Sequence, residues 1–468
     1  MNDYLRLEKL LILYIPWLLS LLLSGDSLLS YLVAWLGSFF IFYYTLSGKI
    51  RAIPKDLPLS GQLMRPLFLV QVIFAGYMCC TSIFYFLEVI GYENFQAPPP
   101  YFLVDLNQLD LVAECQRYYV LAHATFVSGI LLTMSYSPKK HYIIKVKSLA
   151  DFIMYFALVT STISTLFLLI PGLMQLYVQL SSLSFIAGTL ALAYAIPQKK
   201  IKTTVVCSIL YSFNFAQALL SGFKEPIIIS VLVLGIFLFP FYKRTVLLTF
   251  IPFIFLLFIV LPTYNQIFRA QAWSGNTNAN EASSIALDAV LNSNIEDNTN
   301  WAFLTGRLSE IQMFTKYVEK IPFVIKYYNF SFVLNGIIVI IPRIFWPDKP
   351  ITENMVMERV YEVGVVSRDS NVSAKPALVV DGFLSGGILG IFITMLIYGC
   401  MAQWISVYAE KLFGGYLLGT ALIYSGLFQT FWRGLSVEFI INTVFWSFVT
   451  MLVIFRILRF FNVLQKVA

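Results

Sequence analysis

Residues 245–262 read TVLLTFIPFIFLLFIVLP, eighteen positions without a charge. A helix crosses a bilayer with about 20 predominantly apolar residues, so this stretch reads as a membrane span. Working outward, comparable runs occur near 10–24, 27–46, 67–90, 117–136, 150–170, 173–196, 204–221, 226–241, 379–405, 413–431 and 437–458. The first is short, and the pair 226–241 and 245–262 is tightly spaced. Composition agrees with this reading. Of 468 residues 59% are apolar and 12% charged, against about 25% charged in soluble domains. A water-soluble chain of this length could not cover its surface with so few charges. Soluble enzymes, disordered chains and nucleic-acid binders are therefore excluded. Asp3 and Glu8 interrupt any basic leader region and a second span follows almost at once, so no secretory signal peptide is expected.

The loops give an orientation. Lys and Arg favour the cytoplasmic side, and loops 47–66, 137–149, 197–203, 242–244 and 406–412 hold fourteen of them, among them Lys49, Arg65, Lys145, Lys200 and Lys411. Residues 25–26 and 171–172 are bare turns, and 91–116 contains Glu93, Asp105, Asp110 and Glu114 with no basic residue. The alternation predicts an all-α polytopic protein of about twelve transmembrane helices with both termini in the cytoplasm. Most of the net charge of +7 is this orientation signal. Three regions follow: 1–262 with helices 1–9, 263–378 as a large extracytoplasmic loop, and 379–468 with helices 10–12. A connection longer than about 15 residues usually has a function or its own structure, and this loop contains most of the chain's polar chemistry. Five cysteines fit neither a zinc site nor a disulfide framework.

Within the loop, Phe303–Tyr328 has the periodicity of an amphipathic helix, with Phe303, Leu304, Ile311, Phe314 and Val318 on one side. Arg307 breaks the pattern at the centre of that side, with Glu310 at i+3. It reads either as a side chain snorkelling to lipid headgroups or as a fixed positive charge for a cavity. Phe330–Phe345 is short for a span and reads as a re-entrant or interfacial helix. It ends in Pro342-Arg343-Ile344-Phe345-Trp346-Pro347-Asp348-Lys349-Pro350, a stiff corner. There Trp346 between Arg343 and Lys349 is either an interfacial belt or a platform for a sugar bearing a phosphate. Lys224 in the turn Ser221–Pro226, Arg269 past span nine, Asp381-Gly382 at the start of span ten and Arg433-Gly434 before span twelve complete a set of charges at outer helix ends. Each taken alone also fits a solvated turn.

This ordered set resembles the O-antigen polymerase-like family, nearest to the branch of the enterobacterial common antigen polymerase. The basic turn Ser221–Pro226 before Ile227-Ile228-Ile229, the corner Ile341–Pro350, Asp381 with Gly386-Gly387, and Arg433-Gly434-Leu435 follow one another as that family's landmarks do, over roughly residues 200–450. Lys224 stands where the family usually has Arg, and Gly434 where an acid often follows the late Arg. The resemblance implies a glycosyltransferase-C fold of the second type in the bacterial plasma membrane. It implies a repeat-unit polymerase that moves a growing glycan from undecaprenyl pyrophosphate onto a new lipid-linked repeat unit on the outer face. Its partners would be that lipid-linked oligosaccharide, membrane lipid, a chain-length regulator and a flippase, and no nucleic acid.

On that reading the acceptor hydroxyl attacks the anomeric carbon with inversion, and guanidinium groups stabilise the departing pyrophosphate. Arg433, Arg269 and Arg307 are the expected catalytic cations, and Lys224, Arg343, Trp346 and Lys349 the expected substrate-binding residues. Glu310 or Asp381 is the expected base, with Glu225 and Glu438 as weaker candidates. The outer loops hold no D-x-D pair and no histidine, so neither metal nor cofactor is expected. Two rivals are an O-antigen ligase, disfavoured because the large loop lacks the family's histidine, and a repeat-unit flippase or transporter, disfavoured because the chain does not divide into comparable halves. A glycosyltransferase of the first polytopic type needs an acidic pair in a long first outer loop, where this chain has about two residues and Asp26 alone.

Overall fold

A computed structural model describes residues 7–136, 141–170, 172–220, 222, 225–272, 277–292, 297–369 and 373–467. The chain is helical almost throughout. Eight helices among the described residues are long and apolar enough to cross a membrane: Ser27–Leu46, Leu69–Val89, Leu149–Leu168, Met174–Ala195, Ile201–Leu220, Lys243–Ala272, Leu378–Leu412 and Val437–Phe460. The other four expected spans are helical as well, two of them broken into pieces, one carrying charges in its early turns and one short. Residues 10–24 fall in the pieces Leu7–Leu10, Leu11–Tyr14 and Ile15–Leu22, with Pro16 opening the last, where its missing N–H costs nothing. Residues 117–136 belong to Leu106–Thr133, whose early turns carry Asp110, Glu114 and Arg117. Glu225–Leu238 has 14 residues, a rise of about 21 Å. Residues 413–431 split into a π-helical stretch Leu417–Tyr424, Ser425–Leu427 and Thr430–Arg433.

Local chemistry sets the helix starts. Asp26, Asp105 and Ser148 each turn a side-chain oxygen onto a free backbone N–H of the following first turn, at Leu29, at Asn107 and Gln108, and at Asp151, the ordinary N-cap arrangement. The Leu106–Thr133 helix is the central post, buried around most of its circumference. It crosses Leu378–Leu412 at two glycines: a Cβ on Gly399 would overlap the Phe126 carbonyl oxygen, and one on Gly129 the Leu396 carbonyl. Lipid gives no hydrophobic reward for helix association, so small residues that admit backbone contact supply the packing instead.

The connecting loops sort into two ends. At one end Arg65 meets Glu410, Lys200 meets Ser148 and Asp151, and Tyr142–Ile144 pairs antiparallel with Leu464–Lys466. This gathers loops 47–66, 141–149, 197–203 and 406–412 with the C-terminal strand. At the opposite end Ser27 bonds Asp110, Gly172 lies against Ile344, Arg269 bonds Gly222, and the Leu378 amide bonds Gly434. The described residues of 263–378 cap that second end, called the loop end below. The one sheet among the described residues is this two-stranded ribbon.

Two expectations for the cap are corrected. Phe303–Tyr328 is not one helix. Asp297–Phe303 runs into a π-helical turn Leu304–Leu308, Glu310 adopts a left-handed conformation (φ 57°), and Ile311–Lys320 follows. Amphipathic periodicity persists across a break of this kind, so the pattern alone did not show it. The helix expected at 330–345 is Ser331–Ile340, ten residues long. It lies against Val437–Phe460, where the Trp446 indole N–H donates to the Ile340 carbonyl at 2.9 Å.

Candidate functional site

The loop end is organised around a bend. Leu378–Leu412 is broken at Gly386–Gly387, and Gly387 takes φ 61°, ψ −137°, a region open only to glycine in practice. The first turns fold back so closely that a Cβ on Gly382 would sit 3.1 Å from the Ile391 Cα. This carries Asp381 inward, fully buried.

Asp381 meets a partner from the cap. The helix Thr352–Val363 buries Val356, Met357, Val360 and Val363, an apolar stripe at helical spacing, and Arg359 lies within that stripe. Its guanidinium donates to Glu438 Oε1 and Oε2 at 2.8 and 2.9 Å and to Asp381 Oδ2 at 3.0 Å. The Val437 amide donates to the same Asp381 oxygen at 2.8 Å, and the Phe332 ring lies 4.3 Å from the guanidinium. Burial works against the charge on Arg359, but Asp381 and Glu438 more than offset it and hold its pKa above the usual arginine value. One guanidinium thus joins the cap, the bent helix and the last helix. Around it Asp381 Oδ1, Arg359 Nε, Tyr317 Oη and Ser436 Oγ are buried without a protein hydrogen-bond partner. A buried polar atom left unpaired costs about 1–3 kcal/mol, which makes this node a candidate site.

The sequence-derived candidates divide. Asp381 and Glu438 come together at this node. Arg359, which joins them, was missed, although the signal was the one that drew attention to Arg307: a cation on the apolar stripe of an amphipathic helix. Arg307 itself is exposed, at the end of the π turn, and its carbonyl accepts from Tyr77. Glu310 follows it, half-buried, and the preceding Ser309 carbonyl accepts from Tyr119 at 2.9 Å. Arg269 donates to the Gly222 carbonyl at 3.0 and 2.9 Å. Arg343 donates to the carbonyls of Pro347 and Pro350. Lys349 is buried and donates to the carbonyls of Val339 and Ile341. Burial, with Arg343 nearby, lowers its pKa. Trp346 is partly exposed beside them. In this conformation Arg343 and Lys349 thus hold the proline corner in shape. Arg433 ends the helix Thr430–Arg433, and its backbone alone is described. Lys224 lies outside the described residues.

A second feature adjoins Arg307. Thr305 and Gly306 of the π turn, with Glu88, Glu93, Trp301, Ala302 and Gln312, line a cleft of about 420 Å³. The Phe95 ring stands edge-on to Trp301 with centroids 5.1 Å apart.

At the opposite end Arg65 forms a comparable node. Its guanidinium donates to both oxygens of Asp56 and of Glu410, at 2.6–3.0 Å, under the Tyr136 ring at 3.9 Å.

No curated protein and no solved structure matches this chain. A model of a family described as a domain of unknown function, DUF8712, matches residues 15–466, nearly the whole of the architecture just described; the chain belongs to that family.

Proposed function

We propose that the protein is a polysaccharide repeat-unit polymerase of the bacterial plasma membrane, with about twelve crossings, both termini cytoplasmic and the loop end outside. The observation that carries this reading is the seating of the 263–378 cap. Arg359 ties it into two helices of membrane-crossing length. A cleft, an exposed arginine and a half-buried carboxylate of the same segment lie beside Leu69–Val89 and Leu106–Thr133, where Tyr77 and Tyr119 donate to the Arg307 and Ser309 carbonyls, at the end where the headgroup of a lipid-linked substrate would lie. The alternation of loops between the two ends supports the twelve-crossing count. A glycosyltransferase-C fold of the second type is part of the same proposal.

The residues divide the work as follows. Glu310 takes the proton of the acceptor hydroxyl, which attacks the anomeric carbon of the donor sugar with inversion. The glycosyl–phosphate bond breaks, and pyrophosphate-lipid leaves with the bond's electrons. Arg307 and Arg433 meet the growing phosphate charge, because a guanidinium fork matches phosphate oxygens in pairs. Arg269, Lys224, Arg343 and Lys349 shape the lipid-phosphate approach, with Trp346 at the interface. Asp381 and Glu438 hold Arg359 and so position the cap; as a base, Asp381 would first have to leave its guanidinium. No metal or cofactor is required. A chain-length regulator and a flippase are proposed partners.

The test is a gel of surface polysaccharide from a strain lacking this chain. Collapse of a ladder of lengths to single repeat units supports the polymerase. An unchanged ladder detached from its final acceptor points to a ligase. Loss of surface material with lipid-linked units retained inside points to a flippase.

A further inference from the structure

We infer that the cleft beside the π turn is a saccharide subsite for an uncharged sugar, the end of the glycan that meets Arg307. This rests on the polymerase reading and adds to it the class of sugar. Sugar recognition needs an apolar face for the C–H side of the ring and acceptors for its hydroxyls. The exposed Phe95 ring, edge-on to the buried Trp301 that lines the cleft, supplies the first, and Phe95 has a left-handed backbone (φ 63°). Glu88, Glu93 and Gln312 supply the second. Glu88 Oε2 is buried without a protein partner, an acceptor whose desolvation is offset only when a donor arrives. The residues lining the cleft include two carboxylates and no basic group. An anionic sugar such as a uronic acid would be repelled, whereas a neutral one donates hydroxyl protons to carboxylates through charge-assisted bonds. The volume of about 420 Å³ falls within the range of small-ligand pockets and suits one or two rings. Arg307 stands on the same turn as Thr305 and Gly306, so a phosphate linked to the bound sugar has a cation at hand.

The experiment uses the full chain in lipid nanodiscs and saturation-transfer NMR. The probes are cellobiose, lactose and di-N-acetylchitobiose, with cellobiouronic acid as the anionic counterpart. Saturation of at least one neutral disaccharide and not of cellobiouronic acid is the expected result. Trp301→Ala should weaken binding roughly tenfold. Because Trp301 is buried, Glu93→Lys at an exposed position serves as the second variant, expected to admit cellobiouronic acid while thermal stability is unchanged. Absence of binding by every neutral probe, equal binding of the anionic one, or binding indifferent to both variants overturns the inference. The two readings fail separately. Lost ladders with no disaccharide binding leave the polymerase and remove the sugar site. Selective binding in a protein whose deletion leaves ladders intact keeps the sugar site and removes the polymerase.

Discussion

Replacing Arg359 by Ala tests the architecture most directly. Arg359 is 2% exposed, and Asp381 and Glu438 are fully buried. The substitution removes three charged hydrogen bonds and leaves two carboxylates facing each other without a countercharge. Breaking a buried ion pair by deleting one partner costs about 3–5 kcal/mol. An unfolding entropy of about 2.1 cal/mol/K per residue over this length turns that into a loss of roughly 3–5 °C in Tm. The assay is thermal unfolding of purified protein in detergent, followed by tryptophan fluorescence and by the monodisperse fraction on size exclusion. The decisive control is the triple variant Arg359→Met, Asp381→Asn, Glu438→Gln. It keeps the volume and removes the charges, so it should recover most of the loss, because uncharged replacements of buried ion groups are commonly neutral or stabilising. A single variant melting within about 1 °C of the parent, or a triple variant no better than the single, would refute the assignment of Arg359 as the tie between cap and helices.

Three further outcomes are expected. Gly399→Leu should abolish monodisperse protein, because any side chain there meets the Phe126 carbonyl, whereas Gly25→Ala, with nothing within 4 Å, should be silent on size exclusion. Hydrogen bonding and charge from Arg65 depress the Asp56 pKa, so this pair contributes stability above the ordinary carboxylate pKa of about 4 and loses it as pH falls further; melting curves from pH 7 to 3 should show the loss in the parent and a flatter profile in Asp56→Asn. Arg307→Ala and Glu310→Gln should each collapse the polysaccharide ladder to short lengths while Tm and membrane abundance stay at parental values. A normal ladder in both would remove these residues from the chemistry.

The helical, apolar character of the chain and the sorting of its loops were legible in the residues alone. The scarcity of charge and the long apolar runs are local properties, and a bilayer reads them locally, one helix at a time. For the same reason the loops rich in Lys and Arg, and the acidic or bare ones between them, could be separated before any contact was known. The structure gathers most of the first set at one end. Tertiary structure alone decided which charges work together. Arg359 lies 79 residues from Glu438 and 22 from Asp381, and no periodicity links positions so far apart. Its place on an apolar stripe was legible, but its partners were not. The bend at Gly386–Gly387 that turns Asp381 inward was likewise visible only as a pair of glycines. Arg343 and Lys349, conspicuous in the sequence as cations beside a tryptophan, proved to be donors to carbonyls of the proline corner and of the helix end before it. Proline removes backbone donors and breaks the helical pairing of the carbonyls around it, and those carbonyls take whatever donor the fold brings near. Composition fixes what solvent a segment prefers, whereas a site depends on which side chains from distant segments satisfy one another once water has been removed.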